Sequence, residues 1–373
     1  MDLSHLSPAS VRTLAPYVPG KPIEELEREY GIRDSIKLAS NENPLGPGPM
    51  AIAAMAEAAR EVGLYPDGNG FALKQALARR HGCALDCITL GNGSNDVLVM
   101  LAEAFLTPEV EAVYSQYAFA VYPIAVQATG AKAAVAPALA DGPMALGHDL
   151  DAMLRLVNER TRIVFVANPN NPTGTWVETA ALRAFLEKLP QTTLVVLDEA
   201  YIEYVDAPDF PDTSRWLSDF PNLVVTRTFS KAYGLAGLRV GYALAQPSVA
   251  GMLNRVRQAF NVNAIALAAA RAALEDTEHL RKSVALAREG LRQVAQGLDR
   301  LGVPHLPSQG NFVLADCGRP VGALYNAMLR QGVIVRPVGN YGLPNHLRLT
   351  IGTVEQNRRM LAALEHALAA VKP

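Results

Sequence analysis

Lys231 closes a hydroxyl-rich turn, Thr228-Phe229-Ser230-Lys231, that follows the apolar run Leu223-Val224-Val225-Thr226. A lysine amine at a strand end, drawn out of water and set near other cations, loses its proton readily and attacks carbonyl carbon. Taken alone, it could equally be a solvated surface lysine. Behind it, Gly234-Leu235-Ala236-Gly237-Leu238 leads to Arg239, eight residues on. Small residues let backbone approach a ligand closely, and the rigid arginine fork suits a phosphate. Asp198 ends a second apolar run, Leu194-Val195-Val196-Leu197. A carboxylate there is partly desolvated and calls for a cation, unless it simply caps a helix.

Two further strand ends complete the set. Ile163-Val164-Phe165-Val166-Ala167 runs into Asn168-Pro169-Asn170-Asn171-Pro172-Thr173-Gly174. The prolines stiffen this loop and fix where an amide such as Asn171 points, although a plain turn has the same composition. Ile88-Thr89-Leu90 runs into Gly91-Asn92-Gly93-Ser94-Asn95-Asp96. A glycine turn that opens a helix offers an anion free N–H groups and the positive end of the dipole. Asp96 stands where the third glycine of a dinucleotide fingerprint would be, and no nucleotide-loop lysine follows, so the cradle is of unspecified type. Together the four ends ask for an aldehyde at Lys231, a protonated ring nitrogen at Asp198, and one phosphate. Thr228, Ser230 and Arg239 join the glycine turn in holding that phosphate. Pyridoxal 5′-phosphate has this combination of groups.

The elements that must position these residues alternate. Helical stretches at 50–62, 70–81, 95–105, 150–158 and 178–189 separate Val- and Ile-rich runs at 112–114, 163–167, 194–197, 223–226 and 240–244. Runs apolar at nearly every position suit strands buried on both faces of a mainly parallel sheet, the α/β pattern. Residues 16–49, rich in Pro, Gly and Asn, read as an arm and loop. After about residue 247 the texture is helical (248–260, 264–301), then strand-like at 311–315, 333–337 and 347–351, then helical at 355–371. This predicts an arm over 1–40, a large cofactor-binding domain over 41–260 and a smaller α+β domain over 261–373.

Bulk properties exclude several classes. The 373 residues carry 34 basic and 36 acidic side chains, net −2, without the basic excess of a nucleic-acid binder. Residues 1–15 lack the apolar core of a secretory signal, and the most apolar stretch, 264–273, is too short to cross a bilayer. A cytoplasmic protein with reduced cysteines is expected. Cys83 and Cys87 lack partnering Cys or His pairs, and the seven histidines show no i, i+4 pairing, so no metal is expected.

The chain resembles the fold-type-I aminotransferases, most closely the branch acting on histidinol phosphate. The likeness runs through Pro16-Tyr17-Val18-Pro19-Gly20-Lys21-Pro22, Ala39-Ser40-Asn41-Glu42-Asn43-Pro44 and Tyr65-Pro66-Asp67-Gly68. It continues through Asn171-Pro172-Thr173-Gly174, Asp198-Glu199-Ala200-Tyr201, Thr228-Phe229-Ser230-Lys231 and Leu347-Arg348-Leu349-Thr350. The resemblance implies a large domain with a mainly parallel seven-stranded sheet flanked by helices, plus a smaller α+β domain. It implies a Schiff base on Lys231, Asp198 at the pyridine nitrogen, Tyr201 and Asn171 at the 3′-oxygen, and Tyr117 stacked on the ring. Gly93, Ser94, Asn95, Thr228, Ser230 and Arg239 would hold the phosphate, joined by Tyr65 from the neighbouring subunit of a homodimer. Arg348 would clamp the substrate's anionic group, with Tyr17, Asn43 and Arg336 around it. The implied reaction is transamination between L-histidinol phosphate and 2-oxoglutarate, giving imidazole-acetol phosphate and glutamate. An aromatic-amino-acid aminotransferase and a phosphothreonine decarboxylase-like lyase are the alternatives within the fold.

Overall fold

The computed structural model describes Met1 and residues 3–371, so Asp2 and the last two residues of the expected small domain lie outside the described residues. Seven strands form the central sheet: β2 (Ile88–Gly91), β3 (Glu111–Ser115), β4 (Lys132–Ala136), β5 (Thr161–Ala167), β6 (Leu194–Asp198), β7 (Leu223–Thr228) and β8 (Gly241–Ala245). Their order is β2-β8-β7-β6-β5-β3-β4, with β8 alone running against the rest. The run of apolar residues has the expected consequence in β6 and β7, where every residue is buried. Helices cover both faces, and two apolar cores result. One holds Val164, Val166, Val195, Leu197 and Val225, and the other Ile163, Phe165, Val196 and Val224. Consecutive residues alternate between the cores, as the two-residue strand period requires. Each fully buried Val or Leu contributes about 1.5–3 kcal/mol. Strand β4 carries no sequence signal: Lys132-Ala133-Ala134-Val135-Ala136 is an edge strand, mostly exposed and rich in alanine.

A smaller antiparallel sheet, β11-β12-β9, comprises β9 (Phe312–Asp316), β11 (Arg336–Val338) and β12 (Leu343–Thr350). The arm contributes β1 (Ile36–Lys37), which pairs in parallel with β10 (Val333–Ile334). This unit has its own core, including Val313, Leu347, Leu349, Met360 and Leu364. The long helical stretch after residue 264 divides at Asp276 into Ala264–Glu275 and Thr277–Arg300, and the Asp276 carboxylate caps the second helix at His279 N (3.1 Å). Helix Ala264–Glu275 falls within the expected small domain, yet its Ala266, Ala269, Ala270 and Ala273 sit in the central-sheet core. Its alanines allow the close packing against helix Pro49–Ala58 that a bulkier face would prevent.

The register brings the chemistry to one edge. Ala167 of β5 pairs with Asp198 of β6, and Asp198 with Thr226 of β7, so the carboxyl ends of three parallel strands finish side by side.

Candidate active site

The strand ends, the Lys231 turn and the start of helix Ser94–Phe105 enclose a cavity of about 310 Å³. Asp198 lies at its base. Its Oδ2 accepts from the Tyr122 hydroxyl at 2.9 Å and its Oδ1 from Thr226 Oγ1 at 3.1 Å. Burial pushes the carboxyl up to about 6, against the downward pull of these two hydrogen bonds. No described cation pairs with it. A carboxylate so placed gains most from a cation that arrives with a ligand.

Lys231 Nζ donates to the Ser40 carbonyl at 3.0 Å and lies 5.8 Å from the centre of the Tyr201 ring. Burial, then the Arg348 guanidinium, pull its pKa down to about 7. Near neutral pH roughly half of this amine is therefore unprotonated and nucleophilic. The turn that carries it needs Gly234 (φ +71), where a Cβ would lie 2.0 Å from the Gly46 carbonyl oxygen.

Tyr201, buried and raised to about 12 by that burial, accepts a hydrogen bond from Asn41 Nδ2 at 2.9 Å. Arg348 Nη1 donates to Asn171 Oδ1 and its Nη2 to the Ala39 carbonyl, both at 2.6 Å. Asn171 thus has its oxygen engaged, and its Nδ2 hydrogens remain as donors to a ligand. Arg348 Cζ lies 5.6 Å from the centre of the Phe312 ring.

At the opposite end, Ser230 N donates to Thr228 Oγ1 (3.1 Å), Thr228 Oγ1 to Ser230 Oγ (3.0 Å), and Arg239 Nη1 to Ser230 Oγ (3.2 Å). Arg239 is a non-glycine in the left-handed region (φ 57). Gly93 (φ +83) precedes the helix, and a Cβ there would come within 2.4 Å of Arg239 Nη2. Glycine is what lets the guanidinium lie across the helix start. Hydroxyls, a guanidinium and the N–H groups of a twelve-residue helix converge there, a set of donors suited to a phosphate.

Most residues singled out from the sequence meet at this cavity: Ser94, Asn95, Asn171, Asp198, Tyr201, Thr228, Ser230, Lys231, Arg239, Arg348 and Tyr17 all line it. Four others do not. Phe119, rather than Tyr117, joins Tyr201 and Tyr17 on the wall, while Tyr117 packs with Leu314, Val338 and Leu343. Tyr65 is 82% exposed and stacks on Phe260 at 4.6 Å. Asn43 spends its amide on Ala232 O (2.9 Å) and Ser283 Oγ (2.8 Å), a structural tie. Arg336 holds the arm, donating to Val18 O at 2.8 Å with its Cζ 5.9 Å from the Tyr17 ring. Sequence reasoning missed Tyr122, Thr226, Phe119 and Asn41. Phe119 lies just before helix Val121–Ala128 and Tyr122 on its first turn, and their rings meet edge to face at 5.9 Å.

The model of the family "Aminotransferase class I and II" matches residues 33–364. The chain is 55% identical to histidinol-phosphate aminotransferase 2 of Pseudomonas fluorescens strain Pf-5, over 99% of each chain. It is 53% identical to histidinol-phosphate aminotransferase 1 of Nitrosococcus oceani, over 97% of each. Among solved structures, the histidinol-phosphate aminotransferase of Sinorhizobium meliloti in complex with pyridoxal 5′-phosphate superposes with a TM-score of 0.89 at 31% identity, covering 98% of both chains. The aspartate aminotransferase of Thermus thermophilus shares the fold, with a TM-score of 0.82 at 22% identity.

Proposed function

The chain belongs to the class I and II aminotransferase family, and on that premise we propose that it transfers an amino group between L-histidinol phosphate and 2-oxoglutarate, in histidine biosynthesis, with pyridoxal 5′-phosphate bound in the cavity. The observation that supports this most is that the depressed amine of Lys231 and the cation-seeking carboxylate of Asp198 open onto one cavity with a phosphate cradle at its edge.

The residues fit that cofactor. Arg239, Ser230, Thr228, Ser94, Asn95 and the Gly93 turn would hold its phosphate. Asp198 would hold its ring nitrogen, and Tyr201 and Asn171 its phenolic oxygen. When bound, the cofactor supplies an aldehyde carbon and a ring that accepts an electron pair.

The chain's own groups do the rest. Lys231 Nζ, its pKa pulled down to about 7 by burial and Arg348, would be the amine that holds the cofactor's aldehyde carbon and the group that takes the proton from the substrate's Cα. Asp198 stays ionised because Tyr122 and Thr226 donate to both of its oxygens, and so it keeps a proton on the ring nitrogen. Arg348, pre-set by Asn171 and Ala39 O, grips the anionic end of either substrate, phosphate or carboxylate. Phe119 and Tyr201 keep the walls apolar and restrict water. Arg336 and Tyr17 act at the rim.

The protein works as a homodimer. Exposed Tyr65, with exposed Leu64 beside it and Phe260 beneath, forms an apolar patch of the kind a second copy covers, and from there it reaches the neighbour's phosphate. No described helix is long and apolar enough to cross a membrane, in keeping with work in the cytoplasm on small molecules.

Amino transfer from glutamate to imidazole-acetol phosphate and to phenylpyruvate, assayed beside decarboxylation of phosphothreonine, tests the substrate. The proposal expects kcat/KM to be highest for imidazole-acetol phosphate. A preference for phenylpyruvate, or carbon dioxide release from phosphothreonine, would overturn it.

A further inference from the structure

Asp198 has a charged neighbour that the reaction does not use. Side chains alternate across a strand, so Asp198 and Thr226 face the cavity while the next residues, Glu199 and Arg227, face the opposite side. There the Arg227 Nε and Nη2 both reach Glu199 Oε2, at 2.9 and 2.8 Å, and Thr213 donates its hydroxyl to Oε1. Arg227 Nη2 also lies 3.5 Å from Asp212 Oδ1. The pair is nearly sealed, with side chains 9% and 1% exposed. The backbone joins in: Glu199 N donates to Thr226 O at 2.9 Å, and Asn168 N to Asp198 O at 3.0 Å. The ends of β6 and β7 are therefore laced on both faces, by Thr226–Asp198 inside and Arg227–Glu199 outside.

A buried ion pair seldom stabilises a fold more than an apolar pair of similar size would, because desolvation offsets the attraction. Its value lies in fixing geometry and in balancing charge. Removing one partner alone would leave a full charge one residue from Asp198, in a medium that screens poorly.

We propose that Arg227 and Glu199 form a positioning pair that sets both the location and the charge environment of Asp198 from behind the sheet. This rests on the cofactor reading given above. The charged and titratable groups around the pair are Asp212, Glu203, Arg80, Arg215, Tyr233, Tyr242 and His81. The His81 ring nitrogen bonds the Tyr242 hydroxyl at 3.0 Å; burial, then Arg227 and Arg80, hold its pKa down to about 3, so it stays neutral throughout the working range.

The test uses the full chain loaded with pyridoxal 5′-phosphate in four forms: unchanged, Glu199→Gln, Arg227→Met, and both together. Three quantities are read: the pH midpoint of the visible absorbance change, kcat and KM. Glu199→Gln leaves the Arg227 cation behind Asp198 with only the longer Asp212 contact to balance it, and moves the midpoint down. Arg227→Met leaves an unpaired anion and moves it up. The double variant returns to the unchanged midpoint, but its strand end is no longer pinned, so kcat stays about tenfold or more below normal with KM within about twofold. Shifts of both single variants in the same direction, no shift, or full kcat in the double variant would overturn the inference. If a lone charge stops a single variant from folding, kcat of the double variant decides alone. Failure of the unchanged protein to gain a visible band with the cofactor would instead overturn the underlying reading, and it would be seen before any substitution is made.

Discussion

The two sides of the cavity are built in opposite ways. The Asp198 side belongs to the central sheet: Asp198 and Thr226 come from adjacent strand ends whose register is fixed by backbone pairing, and both carboxylate oxygens have a partner, Thr226 and Tyr122 of helix Val121–Ala128. The Arg348 side is assembled from distant parts of the chain. Arg348 comes from β12 of the smaller sheet, Ala39 from the arm, Asn41 from the loop that follows it, and Asn171 from the loop after β5, with sequence separations of 177 and 309 in the hydrogen bonds of Arg348. One side holds charge in a rigid frame, as chemistry at a fixed ring requires. The other can differ between relatives without disturbing that frame, as choice of substrate requires.

Substitutions on the two sides should therefore fail differently. Lys231→Ala should abolish turnover, a loss of several orders of magnitude, while the protein still takes up cofactor. Its absorbance should then be that of free aldehyde, and a persisting lysine-linked band would contradict the assignment.

Asp198→Asn should also cost several orders of magnitude in kcat, with KM little changed. The same change should stabilise the cofactor-free protein. Burial raises this carboxyl from 3.8 to about 6, so its cost to the fold is absent below pH 3.8 and grows as pH rises through about 6. That is up to about 3 kcal/mol once the pH is above 6, with the pull of its two hydrogen bonds already counted. Thermal unfolding of both proteins without cofactor at pH 8 checks it. Equal or lower stability of the variant would show that Asp198 is not held at a cost.

On the Arg348 side the loss should fall mainly on KM. Arg348→Ala removes a buried guanidinium and should raise KM for both the phosphate and the dicarboxylate substrate by about 30-fold or more, from a loss of about 2–5 kcal/mol. If only kcat fell, the two sides would not be distinct in the way described.

The smallest effect belongs to Tyr122→Phe, which leaves Asp198 Oδ2 without its donor. Loss of that bond raises the Asp198 pKa further, so the acid limb of the kcat profile should move to higher pH. At pH 8, kcat should fall by less than the roughly 10- to 150-fold that full loss of a hydrogen bond to a charged group, about 1.5–3 kcal/mol, would give. An unmoved acid limb would remove Tyr122 from this role.

The same contrast explains what could be read in advance. The carboxyl edge of a parallel sheet is announced by the apolar runs that build it, so Asp198, Lys231, Asn171 and the Gly93 turn stood out residue by residue. Tyr122 sits on the short helix Val121–Ala128 and Phe119 just before it, both masked by apolar neighbours, and Tyr117 is a polar-tipped aromatic only two residues before Phe119. Asn41 and Asn43 look alike in the sequence, and only the packing of the arm makes the first line the cavity and the second tie down helix Thr277–Arg300. The edge strand β4 was silent because half-exposed alanines carry no period. Helix Ala264–Glu275 reads as part of the smaller domain because alanine suits either core, and its close packing on helix Pro49–Ala58 sets its buried alanines in the central-sheet core.

The central claim is that one amine, Lys231, opposite one carboxylate, Asp198, holds the cofactor. Reducing the pyridoxal phosphate-loaded protein with borohydride, digesting it and locating the added mass tests this most directly. The account predicts one modified lysine, in the peptide that contains Ser230 and Lys231. A label on any other lysine, or none after loading, would contradict it.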